Sequence, residues 1–363
     1  MASPIGSSLG KCGEIDANRQ KGLIVGRSQE AGAKQAAIAR AAGVSVSTVS
    51  RALADGRGIS EARRLQIIKL AEDAGYLRRG RPSAPAEHLR VYVTGGLATG
   101  GLAPFYEAVV GGLCESAEES GFTLSMRMVE EASLGPERIA RDEKAEGASA
   151  TLFVGIDLSP DVAEYFLLGD RKALLINGYD PLMRFDCVAP NNFYGAMNAG
   201  NALLRAGHRK LAYIHDHTRW TTIQRRRGFY AAVEDCPGAS LIAIGVGRGG
   251  EGELAAAVER RATGRADWTG VFAANDMEAF RLMTALDAAG LSIPGDVSVI
   301  GFDDLPYAAL MRPRLSTMRV DCAELARQAV ALTQRRLADP DAPQMQVECA
   351  VRLEAGETIA QIA

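Results

Sequence analysis

The sequence contains little of what enzymes, metal sites and membrane proteins need. Its 363 residues include only four histidines, and neither a Gly-x-Ser-x-Gly elbow nor an evident nucleophile–histidine arrangement occurs. The six cysteines are scattered without CxxC spacing. No segment is apolar and long enough to cross a bilayer or to form the centre of a signal peptide. These absences predict a cytoplasmic protein with reduced thiols, with no catalytic residues, metal or other cofactor, and with no membrane partner.

Negative charge is slightly in excess, but the basic residues are concentrated near the amino end. The net charge is −3, whereas residues 34–90 contain 11 Lys and Arg against five Asp and Glu, and residues 91–363 carry a net charge of −10. A basic segment joined to an acidic body indicates a nucleic-acid-binding surface at one end of the chain. Residues 1–33, rich in Gly, Ser and Ala, are expected to form a disordered extension.

Residues 34–76 have the pattern of a small all-α domain. Good helix formers end at Gly43, which tolerates the left-handed conformation that closes a helix. Ser45 offers a hydroxyl to cap a second helix from Val46, and Ser60 could cap a third. This arrangement predicts a helix-turn-helix whose second helix enters the major groove of DNA. The alternative is a polar surface on a helical bundle.

The second helix and its neighbours carry the side chains that DNA contacts require. Short hydroxyls suit phosphate oxygens, and Arg51 could bind guanine through two hydrogen bonds. Val49 and Leu53 should pack against Ile38 and Ala42 of the first helix. The expected DNA-contacting residues are Ser45, Val46, Ser47, Thr48, Ser50, Arg51, Arg57 and Arg63.

After a linker at residues 77–90, short apolar strands alternate with amphipathic helices to the end of the chain. Such alternation predicts parallel, doubly wound sheets with helices on both faces, which is an α/β fold. Two successive series of this kind predict two similar lobes. Ligands bind beyond the carboxyl ends of parallel strands, so the cleft between the lobes is the expected binding site.

Two charged residues mark that cleft. Asp276 follows the predicted strand 270–274, and Arg225 lies in the helix that follows strand 210–215, at the same edge. A carboxylate and a guanidinium can hold paired sugar hydroxyls, although an internal salt bridge between them is the alternative. The aromatic side chains that could line the pocket, or instead lie in the core or at the rim, are Phe105, Tyr106, Tyr179 and Trp220.

Two further motifs point to other chemistry. Residues 245–250 match GxGxxG, with Asp276 as a possible ribose ligand, which would fit a nicotinamide-dependent oxidoreductase. Their late position in the chain favours a simple connection between a strand and a helix. His215 and His217 could supply two metal ligands, but no third ligand is evident, so a polar cleft wall is preferred.

Many segments together resemble the lactose/galactose repressor family. They are residues 39–53, 59–61, 74–76, 104–106, 206–210, 225–229, 274–276, 297–304 and 313–320. The resemblance implies a transcription regulator, usually a repressor, that binds double-stranded operator DNA as a homodimer and responds to a sugar-like effector. It implies base contacts by Val46 and Ser47 and effector contacts by Arg225 and Asp276. A solute-binding module with the same two-lobed body is the alternative, but it would need a secretory signal.

The resemblance also implies a periplasmic-binding-protein-like body at residues 91–363. Crossovers near Pro190, Ser316 and residue 340 would give a first lobe of residues 91–189 and 317–340 and a second of residues 190–316 and 341–363. In the linker, the family has a hinge helix whose leucine enters the minor groove. Here Pro82 and Pro85 disfavour that helix, and Leu89 lies next to the first strand, so we expect a tether.

Overall fold

The computed structural model describes residues 37–54, 59–60, 63, 66–67, 69–71, 87–95, 103–215, 219–246 and 251–362. The chain divides into two compact units, Met1–Pro85 and Ala86–Ala363. Among the helices described in these ranges, none is both long and apolar enough to span a membrane.

The first unit contains a small helical core. Residues 37–42 belong to helix α1, α2 is Val46–Ala54, and residues 63, 66–67 and 69–71 are the described part of α3. Val49 packs in one cluster with Ile38 and Ala42, as predicted. Ile67 of α3 is also fully buried there. The side chain of Leu53 lies outside the described residues.

The turn between α1 and α2 has the predicted form. Gly43 has a φ of +63°, and the amide of Val44 donates to the carbonyl of Ala39 at 3.0 Å. Ser45 Oγ accepts a hydrogen bond from the amide of Thr48 at 3.1 Å and so caps α2. Together these contacts confirm the glycine turn and the N-cap.

The second unit contains two six-stranded sheets. The strands are β1 (His88–Thr94), β2 (Thr123–Val129), β3 (Ala150–Val154), β4 (Ala173–Ile176), β5 (Asp186–Pro190), β6 (Lys210–His215), β7 (Ser240–Gly245), β8 (Gly270–Ala273), β9 (Ser298–Asp303), β10 (Ser316–Arg319), β11 (Gln346–Cys349) and β12 (Arg352–Glu354). The helices are α4 (Ala103–Glu119), α5 (Pro136–Ala145), α6 (Pro160–Leu168), α7 (Asn192–Arg205), α8 (Trp220–Glu234), α9 (Glu251–Ala262), α10 (Asp276–Ala288) and α11 (Cys322–Ala338). Short 3₁₀ turns occupy Glu131–Ser133 and Pro306–Ala309.

Each sheet has a topological switch point. The strand order is β11-β5-β4-β3-β1-β2 in the first sheet and β12-β10-β9-β8-β6-β7 in the second. All described pairings are parallel except that of β10 with β12. Strand β1 lies between β3 and β2, and strand β6 lies between β8 and β7. The connections that follow these adjacent strands therefore leave the carboxyl edge of the sheet in opposite directions, which opens a crevice at that edge. The predicted α/β class is confirmed.

The paths of two segments correct the expected lobe limits. Strand β10 pairs with β9, so residues 317–319 belong to the second lobe, whereas β11 pairs with β5, so residues 346–349 belong to the first. Between them, α11 packs on the first lobe, where Arg336 donates to Asp186 of β5 at 2.8 Å. The third crossover therefore falls between β11 and β12 rather than near residue 340. The lobe to which each strand belongs is decided by pairing between strands distant in sequence, and local periodicity does not reveal that pairing.

The start of β1 corrects the linker boundary. The strand begins at His88 rather than Val91, so residues 88–90 belong to the first sheet. Leu89 is fully buried and lies opposite Leu124 of β2 and Ala150 of β3. Leu89 therefore serves the core of the first lobe. Residues 77–86, with both linker prolines, lie outside the described residues.

Candidate functional site

Three charged residues meet at the carboxyl edge of the second sheet. We call Arg225, Asp276 and Asp303 the second-lobe cluster. Asp276 is the first residue of α10 after β8, Asp303 ends β9, and Arg225 lies on α8. Their exposed fractions are 4%, 0% and 5% for Arg225, Asp276 and Asp303, respectively. Arg225 and Asp276 were predicted from the sequence as cleft residues, whereas Asp303 was not.

Arg225 is held by groups of its own lobe. Its Nε donates to Asn192 Oδ1 at 2.8 Å, its Nη1 to the carbonyl of Ala274 at 2.5 Å, and its Nη2 to Asp303 Oδ1 at 3.4 Å. The guanidinium also stacks on the ring of Phe302, 3.7 Å from its centroid. An internal salt bridge therefore exists, but its acid is Asp303 and not Asp276.

Asp276 links the segment that follows β9 to strand β10. Its Oδ2 accepts from the amide of Leu305 at 2.8 Å, and its Oδ1 accepts from Thr317 Oγ1 at 2.5 Å. Gly301 allows this approach, because a Cβ there would lie 2.2 Å from Asp276 Oδ1. Burial, together with the nearby charge of Asp303, raises the pKa of Asp276 well above its usual range. Burial also raises the pKa of Asp303, to about 6, although Arg225 opposes that shift.

Asp303 had a signal in the sequence. It ends an apolar strand inside one of the segments that carry the family resemblance, which is the same reason that Asp276 was selected. Its backbone is also unusual, because Asp303 and Asp304 have φ values of +118° and +58°. Non-glycine residues rarely adopt such angles, and they do so preferentially at functional sites.

A second set of polar groups connects the two lobes. Arg219, immediately before α8 in the second lobe, donates from Nη1 to Tyr106 Oη at 2.7 Å and from Nη2 to the carbonyl of Asn177 at 2.9 Å. Its Nη2 also lies 3.4 Å from Asp157 Oδ1. We call Arg219, Tyr106, Asp157 and Asn177 the bridging cluster. Of these four residues, only Tyr106 was predicted from the sequence.

The bridging cluster retains unused hydrogen-bonding capacity. Burial works against the charge of Arg219, but Tyr106 and the carboxylates of Asp157 and Glu131 outweigh it, and the pKa of Arg219 is raised. In the described part of the chain, Arg219 Nε and Asn177 Oδ1 are buried and have no hydrogen-bond partner. Buried polar groups normally have partners, so a donor and an acceptor remain for a bound polar molecule.

The candidate aromatic residues occupy different positions. Tyr106 lies at the lobe junction, where Gly155, with a φ of +68°, leaves room for its ring. Tyr179 of the first lobe packs against Trp220 of the second, with ring centroids 5.3 Å apart. Phe105 is 3% exposed and belongs to the apolar core of the first lobe, and its ring packs edge-on against that of Tyr106.

The candidate DNA-contacting residues are partly described. Val46 is 43% exposed at the start of α2, and Ser45 and Ser47 are exposed beside it. Ser45 Oγ lies 2.8 Å from both Ser47 Oγ and Thr48 Oγ1, in addition to its capping bond. Arg63 is exposed and contacts Gln66 at 3.5 Å. Arg57 and the side chains of Ser50 and Arg51 lie outside the described residues.

The two competing motifs are described only in part. Residues 247–250 of the GxGxxG segment and residues 216–218, with His217, lie outside the described residues. Asp276, the possible ribose ligand, uses both carboxylate oxygens within its own lobe. Within the described ranges, no group of three or more His, Cys, Asp and Glu side chains is arranged to hold a metal ion.

Comparison with known proteins agrees with this architecture. Residues 36–79 match the model of the lacI family of bacterial regulatory proteins, and residues 201–359 match a periplasmic binding protein-like domain. The HTH-type transcriptional regulator GalR of Salmonella typhimurium is 34% identical over 304 residues, which cover 81% of this chain and 86% of the relative. The chain belongs to the lacI family. It is a DNA-binding transcription regulator, as the sequence predicted.

Solved structures show the same fold. The lac repressor dimer bound to operator and the anti-inducer ONPF has a TM-score of 0.66 at 20% identity, covering 89% of this chain and 98% of that chain. The transcriptional regulator CelR in complex with cellobiose has a TM-score of 0.65 at 20% identity, covering 89% of this chain and 99% of that chain. The predicted combination of a helix-turn-helix domain and a two-lobed α/β body is confirmed.

Proposed function

We propose that this regulator represses transcription from operator DNA under the control of a sugar-like effector bound between its lobes. The observation that carries the effector proposal is the bridging cluster, where one donor and one acceptor from different lobes lack partners within the described residues. A sugar hydroxyl both donates and accepts, so a single ligand could satisfy Arg219 Nε and Asn177 Oδ1. The cellobiose held by CelR supports this class of ligand.

Arg225 and Asp276 are proposed to contact the same effector. Arg225 uses three of its five N–H groups within the lobe, which leaves two for a ligand hydroxyl. Asp276 already accepts from Leu305 and Thr317, so contact with the effector would require it to share or exchange one of these bonds. Tyr179 and Trp220 are proposed as the aromatic faces on which the sugar ring packs.

An effector held by both lobes can regulate DNA binding because it favours one lobe arrangement over another. The coupling free energy between two such sites is typically about 1–3 kcal/mol. We propose that the protein acts in the cytoplasm as a homodimer, with α2 of each subunit in one operator half-site and with Val46, Ser47 and Arg51 reading bases. No enzymatic activity is proposed, since the relatives that the chain matches are transcription regulators.

The DNA proposal is tested with duplexes selected from a random pool by the full-length protein. Gel-shift titrations then compare the wild type with Arg51→Ala and with the control Lys69→Ala, whose side chain is exposed on α3. We expect Arg51→Ala to weaken the selected site by about 1–3 kcal/mol and to flatten base preference, as loss of a bidentate base contact should. Lys69→Ala should leave the preference intact. Unchanged preference in Arg51→Ala would contradict the proposed role.

The effector proposal is tested by thermal shift with glucose, galactose and ribose, their disaccharides and NAD. Ligands that bind the native state raise the melting temperature by mass action. At least one sugar should do so and should also change the half-saturation point in the gel shift, whereas NAD should do neither. Stabilisation by NAD alone would favour the oxidoreductase alternative.

A further inference from the structure

A cavity of about 480 Å³ lies on the first lobe beside the bridging cluster. It is at the carboxyl ends of β2 and β3, where Glu131 follows one strand and Asp157 the other. Asp157 belongs both to the cavity lining and to the bridging cluster, where it receives Arg219. The cavity is therefore adjacent to the proposed effector site, and its volume falls within the range of about 300–1,000 Å³ that is typical of small-molecule sites.

The floor of this cavity is apolar. Leu134, Ile156 and Val162 come from three different segments and are 7%, 1% and 1% exposed. Their positions are fixed by the first-lobe core, in which all three are members of one cluster. A rigid apolar floor suits the C–H face of a sugar ring, which is the largest apolar surface that a carbohydrate presents.

The rim of the cavity is rich in hydrogen-bond acceptors. Glu131 Oε1 accepts from the amide of Asp157 at 3.1 Å, and Asp157 Oδ1 accepts from the amide of Tyr179 at 3.3 Å and from Arg219 Nη2 at 3.4 Å. No hydrogen bond of the described residues reaches the second oxygen of either carboxylate. Ser159 Oγ accepts from the amide of Val162 at 3.4 Å, and its hydroxyl remains able to donate.

We propose that this cavity is a second subsite, which holds a neutral glycosyl unit of the effector. Paired hydroxyls of that unit would donate to the free oxygens of Glu131 and Asp157, while its ring packs on the apolar floor. The inference rests on the proposed sugar effector at the bridging cluster and extends it from one sugar unit to two. Two carboxylates on the rim exclude a phosphate or carboxylate on this unit, because like charges repel. The effector is therefore a disaccharide or a longer uncharged glycoside.

The test is isothermal titration of the full-length protein with matched sugars: glucose with cellobiose and maltose, and galactose with lactose and melibiose. Glu131→Gln keeps the size of the side chain and one acceptor for the Asp157 amide, but it replaces the other oxygen with a donor. Glu164→Gln is the matched control, since Glu164 is exposed on α6 and does not line the cavity. Because Glu131 is itself exposed, Glu131→Gln should fold normally, which its melting temperature will verify.

One disaccharide should bind about tenfold more tightly than its matched monosaccharide. Glu131→Gln should remove about tenfold of the disaccharide affinity, as expected for the loss of a hydrogen bond to a charged group, and should leave the monosaccharide affinity unchanged. Glu164→Gln should change neither. A disaccharide gain that persists in Glu131→Gln, or monosaccharide binding without any such gain, would overturn the second subsite and leave the proposed function standing.

Two other outcomes would contradict the proposal, one through the sugar effector itself and one through the charge of the bound unit. If none of these sugars binds the wild-type protein, the proposed sugar effector fails, and the subsite fails with it. Glucosamine serves as a cationic probe of the same rim. If it bound more tightly than glucose and lost that advantage in Glu131→Gln, the cavity would be a cation site, and the assignment to a neutral glycosyl unit would be wrong.

Discussion

The two polar clusters at the cleft differ in how completely their hydrogen bonds are made. In the second-lobe cluster, Arg225, Asp276 and Asp303 are buried and contact partners within one lobe. In the bridging cluster, the Arg219 side chain is about 20% exposed and contacts the opposite lobe. Its own Nε and Asn177 Oδ1 are buried without partners in the described residues. The first cluster is therefore largely satisfied by its own lobe, whereas the second contains buried polar atoms that a ligand could satisfy.

Because of this difference, mutations in the two clusters should have different costs in stability. Removing one member of a buried ion pair leaves an uncompensated charge in a poorly solvated place, which is strongly destabilising. Removing a partly exposed partner costs little, because water replaces it. Mutations in the second-lobe cluster should therefore act mainly on folding, whereas mutations in the bridging cluster should act mainly on the response to effector.

The largest effect is expected from Arg225→Met. The substitution leaves Asp303 buried without its guanidinium, so the free energy of unfolding should fall by about 3–5 kcal/mol. Urea denaturation near neutral pH measures this loss. Arg226→Met is the control, because Arg226 is the exposed neighbour on α8 and should change stability little. Equal and small losses in both variants would show that the second-lobe cluster does not support the fold.

The next largest loss of stability is expected from replacing Asp276. Two variants of this residue show whether its hydrogen bonds or its charge stabilise the fold. Asp276→Ala leaves the Leu305 amide and the Thr317 hydroxyl without an acceptor, at a cost of about 1–3 kcal/mol for each buried group. Asp276→Asn has the same shape, can accept from Leu305 and can donate to Thr317 Oγ1. Its loss in urea denaturation should therefore be clearly smaller than that of Asp276→Ala. Equal losses would mean that the negative charge itself is needed.

The same contrast explains what the sequence could predict. Arg225 and Asp276 lie at regular places, on the helix after one strand and at the end of another, so periodicity locates them at the carboxyl edge. Asp303 occupies an equivalent place at the end of β9, but the sequence pattern does not show which acid at that edge pairs with Arg225. The internal salt bridge that was the alternative to effector contact would join Arg225 to Asp276, whereas Arg225 pairs with Asp303. Two acids compete for one guanidinium, and only packing decides between them.

The bridging cluster could not be derived in this way. Arg219 precedes α8 in a connection without periodicity, and Asp157 and Asn177 follow strands of the other lobe. Their meeting depends on how two lobes close, which no local pattern encodes. Strands β10 and β11 were each expected in the lobe opposite to the one they occupy. Local pattern fails there for the same reason, because strand order in a sheet is set by pairings between residues distant in sequence.

A smaller effect on stability is expected from Arg219→Gln. Despite its contacts with three first-lobe groups, its partial exposure limits the loss to about 1 kcal/mol. The effector response should suffer more, with the sugar-dependent rise in melting temperature strongly reduced. Arg205→Gln, exposed on α7, is the control and should respond as the wild type does. An intact sugar response in Arg219→Gln would place effector recognition elsewhere.

The last effect is a dependence of stability on pH, and it distinguishes buried from exposed carboxylates. The folded-state pKa of Asp276 is raised above its unfolded value of 3.8, mainly by burial, so the native state holds this proton more tightly than the unfolded state does. Its contribution to stability is therefore present at low pH and is lost as pH rises above about 4. Asp276→Asn has no such proton and should gain in melting temperature relative to the wild type between about pH 5 and about pH 8.

Asp296→Asn is the control, because the pKa of Asp296 is shifted in the opposite direction from that of Asp276. Hydrogen bonds from Ser292 lower the pKa of Asp296 below 3.8, so its contribution is lost only as pH falls below about 4. The difference in melting temperature between Asp296→Asn and the wild type should therefore stay constant over the same pH range. If the curve for Asp276→Asn also ran parallel to the wild type, Asp276 would not hold its proton in the folded protein. Burial of Asp276 next to Asp303 would then have no net effect on the ionisation of Asp276. The proposed difference in energetics between the second-lobe cluster and the bridging cluster would lose this support.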